Sequence, residues 1–100
     1  MRTLIYSIDI ICLTDLGFQR FCENEYGINR GIYNVVDQWF YDNGFRNVMQ
    51  RRREILNFFQ LEKDEKDNLI QGKIKFGRNR LKSRLEYYQF RITELEIIYS

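Results

Sequence analysis

Six cationic side chains crowd one short stretch of this chain. Lys73, Lys75, Arg78, Arg80, Lys82 and Arg84 lie between Gln71 and Leu85, and no acidic residue lies among them. Ammonium and guanidinium groups at this density do not suggest bond-breaking chemistry. They suggest capture of a polyanion, such as a phosphate backbone or a carboxylate-rich protein surface. The rest of the chain does not share the bias. Residues 1–44 hold three basic residues (Arg2, Arg20, Arg30) against six acids, a balance of −3. The net charge of +2 is therefore a cancellation within a polarised molecule.

The spacing around the cations predicts a β-hairpin over about residues 70–87. Ile70, Gly72, Ile74 and Phe76 alternate with polar residues, and Gly77-Arg78-Asn79-Arg80 fits a four-residue loop. Closing that loop sets Phe76 opposite Leu81, Gly72 opposite Leu85 and Ile70 opposite Tyr87, which keeps the apolar set on one face. It also sets Lys75 opposite Lys82 and Lys73 opposite Arg84, pairs that destabilise a sheet by about 0.2–1 kcal/mol each. A sequence selected for stability alone would favour a carboxylate at such positions, so the register points to a binding ribbon. Base-reading amides in it are limited to Gln71 and Asn79, so backbone contacts are expected rather than sequence readout.

Further candidates lie outside the ribbon. In Arg51-Arg52-Arg53, successive side chains on a helix point about 100° apart and cannot form one patch. Arg53 joins Arg46 on the polar side and could extend the cationic surface. Arg52 falls among Val48, Met49 and Leu56, where it needs a carboxylate, with Asp9 or Asp37 the expected partner. Tyr88 could stack a base beside the cations. Trp39 and Tyr41 point in different directions around their helix and offer a protein-interaction or dimer contact.

Whole classes of chemistry are missing. The chain has no histidine, hence no imidazole base, no Ser-His or Cys-His pair and no histidine metal site. Cys12 and Cys22 lie in no CxxC, so the expectation is buried free thiols in a reducing compartment, no metal and no cofactor. No phosphate-cradling glycine loop or nucleophile elbow is present.

The elements that must position these groups read as a single α+β domain over residues 1–100. Apolar Leu4, Tyr6, Ile8, Ile10 and Cys12 alternate through Thr3–Leu13, predicting a strand. Thr14 or Asp15 caps a short helix carrying Leu16, Phe18, Phe21 and Cys22, closed by Gly27. A second helix over Ile28–Asn43 has Ile28, Ile32, Val35, Val36, Trp39 and Phe40 on one face, with Asn43-Gly44 as its stop. A third over Phe45–Gln60 has Phe45, Val48, Met49, Ile55, Leu56 and Phe59 on one side. Glu62–Asn68 reads as a solvated connector. Tyr88, Phe90, Ile92, Leu95, Ile97 and Ile98 mark one or two last strands, giving helices packed on one face of a three-stranded antiparallel meander.

At 100 residues, 44% hydrophobic and 30% charged, the composition is that of a soluble globular domain without a membrane span. Asp9 interrupts the signal-like apolar run Thr3–Leu13, and with the reduced thiols this gives a cytoplasmic expectation. The absence of alanine, beside abundant Ile, Asn, Tyr, Phe and Lys, points to an A/T-rich source such as a virus, mobile element or organelle. Three functions follow in order. The first is a non-enzymatic protein whose basic hairpin engages nucleic acid or a nucleoprotein complex. The second is a small subunit or inhibitor docking through an aromatic helix face. The third rests on the order of elements, which is similar to that of RelE-type ribosome-dependent ribonuclease toxins. That resemblance is topological and carried by no motif, and it implies metal-independent RNA cleavage by Arg78, Arg80, Lys82 and Tyr88.

Overall fold

In the computed structural model, residues 8–70 and 84–99 are described, and every regular element among them is an α-helix: α1 (Ile8–Ile11), α2 (Asp15–Tyr26), α3 (Arg30–Asp42), α4 (Val48–Ile70) and α5 (Arg84–Tyr99). Helix α3 packs against α2, α4 and α5, while α1 lies in the angle between α2 and α4. The α+β expectation is thereby overturned.

The local signals that start and stop the first helices act as their chemistry dictates. The Thr14 hydroxyl accepts a hydrogen bond from the Gly17 N–H at 3.0 Å, and the Asn29 side chain accepts one from Ile32 N–H at 2.9 Å. Each satisfies an amide that has no partner inside its helix. Asn47 does the same for Gln50 N–H at the head of α4. Gly27 ends α2 in the left-handed region (φ 64°, ψ 41°), with its N–H donating to Glu23 O.

The core is the sum of the helix faces. Phe18 and Cys22 of α2, Val36, Trp39 and Phe40 of α3, and Ile55, Leu56, Phe58 and Phe59 of α4 are buried together. Phe40 is the hub, edge-on to Phe45 at 5.3 Å and to Phe58 at 6.5 Å between ring centroids. The aromatic stripes thus serve as core. Leu16 and Val48, expected to face inward, are exposed instead.

Three sequence expectations fail. The strand over Thr3–Leu13 is contradicted at Ile8–Ile11, a helical turn that buries Ile11; residues 1–7 lie outside the described residues. The connector at Glu62–Asn68 is part of α4, which runs on to Ile70. Its Glu and Lys residues are good helix formers, so a charged run extends the helix rather than breaking it. The C-terminal strands are replaced by α5. A helical signal was present there: Leu81, Leu85, Tyr88, Ile92, Leu95 and Tyr99 recur at alternating spacings of four and three. Tyr88 and Ile92 are indeed buried and Leu95 half-buried.

The expected hairpin is contradicted at its ends, where Ile70, Leu85 and Tyr87 are helical rather than paired in strands. The order of elements that suggested RelE-type toxins goes with it. Residues 71–83 lie outside the described residues.

The face that α5 buries is set by its repeat of about 3.6 residues, which brings Tyr88 and Ile92 to one side. The candidate site lies on α3, α4 and the turn between them.

Candidate functional site

The three consecutive arginines of α4 separate as their angular spacing requires. Arg52 turns inward and is 7% exposed. Its Nη1 donates to Ile11 O at 2.7 Å and Leu13 O at 2.6 Å, and its Nη2 donates to Asp15 Oδ1 at 2.7 Å. Its guanidinium also lies 4.9 Å from the Phe18 ring centroid. The expectation of a buried arginine needing a carboxylate holds, but the partner is Asp15, not Asp9 or Asp37. Two unpaired carbonyls at the end of α1 complete the set, and those cannot be read from side-chain types.

Arg51 takes Asp37. Its Nε donates to Asp37 Oδ1 at 2.8 Å, and its Nη1 donates to Phe45 O at 2.9 Å and Arg46 O at 3.2 Å. This ties α3, α4 and the intervening turn into one corner. Arg53 is exposed and has no ion pair among the described residues.

At the same corner Arg46 is exposed yet held in place. Its Nε donates to Tyr41 O at 2.8 Å, and its guanidinium carbon stands 4.4 Å from the Tyr41 ring centroid. The Arg51 guanidinium carbon is 5.3 Å from that centroid. Tyr41 itself remains 42% exposed. An exposed ring with two guanidinium groups beside it, close to an asparagine-capped helix start, gives a cationic and partly aromatic surface. Asp37 is occupied by Arg51, and Asp42 accepts a hydrogen bond from Gln38 Nε2 at 2.9 Å. Chemically this corner offers N–H donors and a π-face, but no nucleophile or base.

The remaining predicted site residues divide as follows. Lys73, Lys75, Arg78, Arg80 and Lys82 lie outside the described residues, and Arg84 opens α5. Tyr88, offered as a stacking platform, is buried edge-on to Phe40 and Phe58. Trp39, offered as an interface residue, is 8% exposed and packs on Phe40, whereas Tyr41 does reach the surface. Arg46 and Arg53 are both exposed. Sequence reading had Tyr41 and Arg46 separately but missed that the turn stacks one on the other.

The thiols also differ. Cys12 is exposed, against expectation, while Cys22 is fully buried. Burial pushes the Cys22 thiol from 9.0 up to about 12, opposed by the Arg52 charge. Among the described residues no group of three His, Cys, Asp or Glu side chains could hold a metal ion. No described helix is long and apolar enough to cross a membrane.

No family model matches the chain, and no solved structure matches it. Over 76 residues it is 40% identical to the RNA-binding riboflavin kinase RibR of Bacillus subtilis (strain 168). The aligned stretch is 76% of this chain and 33% of the relative, so the chain spans about a third of the length of the protein it matches.

Proposed function

We propose that this chain is an RNA-binding module that holds the phosphate backbone through arginine and lysine side chains and catalyses no reaction itself. The observation that carries this reading is the 40% identity, over three quarters of the chain, to a protein described as RNA-binding. That relative is also described as a riboflavin kinase. Charge favours the RNA half of its description for this chain. Six cations without an acid span Gln71–Leu85, and Arg20, Arg30, Arg46 and Arg53 are exposed without an ion pair among the described residues. By contrast, the carboxylates of Asp15, Asp37 and Glu62 are engaged by Arg52, Arg51 and Arg91, which leaves them poorly placed to bind a magnesium–nucleotide substrate.

Binding driven by backbone phosphates falls linearly on a plot of log affinity against log salt, with a slope of about −0.7 per phosphate neutralised on a single strand. Fluorescence anisotropy with labelled RNA should give such a line. Reversing Lys73, Lys75, Lys82 and Arg84 to glutamate should flatten it and reduce binding to background while the helical circular dichroism persists. RNA affinity unchanged by that reversal, or by salt, refutes the reading. Conversion of riboflavin to its phosphate ester by the purified chain with magnesium ATP would show that it is an enzyme as well.

A further inference from the structure

We infer that the α3–α4 corner is a phosphate-binding contact for an unpaired RNA segment, with Arg46 as the group that grips it and Tyr41 as the group that aims it; this rests on the RNA-binding reading above. The inference comes from how Arg46 spends its five N–H donors. One, on Nε, is fixed on Tyr41 O at 2.8 Å. The guanidinium lies 4.4 Å from the Tyr41 ring centroid, which sets its plane. Among the described residues no carboxylate pairs with its two terminal nitrogens. A surface arginine normally loses several rotameric degrees of freedom when it closes on a ligand. Here much of that ordering is already done in the free protein.

The surroundings favour an anion rather than a cation. Asp37 is paired with Arg51, and Asp42 accepts a hydrogen bond from Gln38, so neither is paired with Arg46. Arg51 adds a second guanidinium 5.3 Å from the same ring. A planar fork with free terminal N–H groups matches the paired oxygens of a phosphodiester. The exposed part of Tyr41 then stands beside the bound phosphate, where the base of an unpaired nucleotide can stack.

The test is anisotropy of labelled oligouridylate across a salt series, with thermal melting of each variant alongside. Relative to wild type, R46Q should bind about tenfold more weakly, the worth of one charge-assisted hydrogen-bond pair, and its salt slope should be shallower by about 0.7. R46K keeps the charge but not the fork, so it should keep the slope and still lose affinity. Y41A removes the ring beside the guanidinium but keeps the Tyr41 carbonyl that holds Nε, and should weaken binding without changing the slope. R46Q with wild-type slope and affinity, or R46K indistinguishable from wild type, overturns the inference. If the wild-type chain binds neither oligouridylate nor a mixed-sequence RNA pool at low salt, the RNA-binding reading itself fails, a result separable from either.

Discussion

Arg52 shows how one side chain can be structural while its neighbours are free to bind. Its head satisfies two backbone carbonyls at the end of α1 and one carboxylate, and its stem packs among α4 core residues. The carboxylate contributes least, because the Asp15 side chain is fully exposed and its pairing is screened by water. The carbonyls decide the outcome, since a buried acceptor left unsatisfied costs about 1–3 kcal/mol. Arg52→Ala should therefore destabilise the fold by at least about 2 kcal/mol, read as a drop in the urea midpoint. Asp15→Asn should leave that midpoint almost where it is. Equal losses in the two variants would mean that the ion pair, not the carbonyls, holds the corner. The apolar neighbourhood of Arg52 was legible from helical spacing, and its need for partners followed from charge burial. The partner's identity was not legible, because the end of α1 was read as a strand.

At the scale of elements, the cap chemistry of Thr14, Gly27 and Asn43, the face of α3 and, apart from Leu16, that of α2 could be read directly, because those signals act within a few residues. The β assignments failed where Ile, Tyr and Phe are so abundant that alternation arises beside a helical repeat. Ile8-Ile10-Cys12 gave the one period while Ile8 and Ile11 gave the other, and propensity differences of about 0.7 kcal/mol or less per residue do not arbitrate. In α5 the repeat through Tyr88, Ile92 and Leu95 fixes the buried face. Glu94 is exposed within this helix. Comparing Glu94→Ala with Glu94→Gly removes the same side chain and leaves only the backbone difference. The alanine variant should be the more stable by about 1 kcal/mol, the value for a helix interior, read from urea midpoints. Equal stability of the two variants would mean that Glu94 does not lie in a helix interior.

For the molecule as a whole, the missing histidine and the buried thiol together determine the response to pH. With no imidazole, no side chain of ordinary pKa titrates between the carboxylates and the thiols, so stability should be flat near neutrality. The alkaline side is different. Burial, with smaller contributions from Glu23 and Asp37 that outweigh little of the opposing Arg52 charge, raises the Cys22 thiol from 9.0 to about 12. Burial and Asp37 likewise raise the Tyr33 hydroxyl above its usual range. Above pH 9 the unfolded chain releases the Cys22 proton while the folded chain retains it. The unfolded state then binds fewer protons, so stability falls as pH rises, and the loss is complete only above about 12. Three pH units correspond to about 4 kcal/mol, a large share of the stability of a domain this size. Urea midpoints should therefore hold steady from about pH 6 to 8 and decline from about 9 upward. Cys22→Val removes the titrating group at similar volume, so its decline should be shallower and begin near the Tyr33 range. A variant that declines as steeply as the wild type would place the alkaline weakness in groups other than Cys22, which would then be an inert apolar filler.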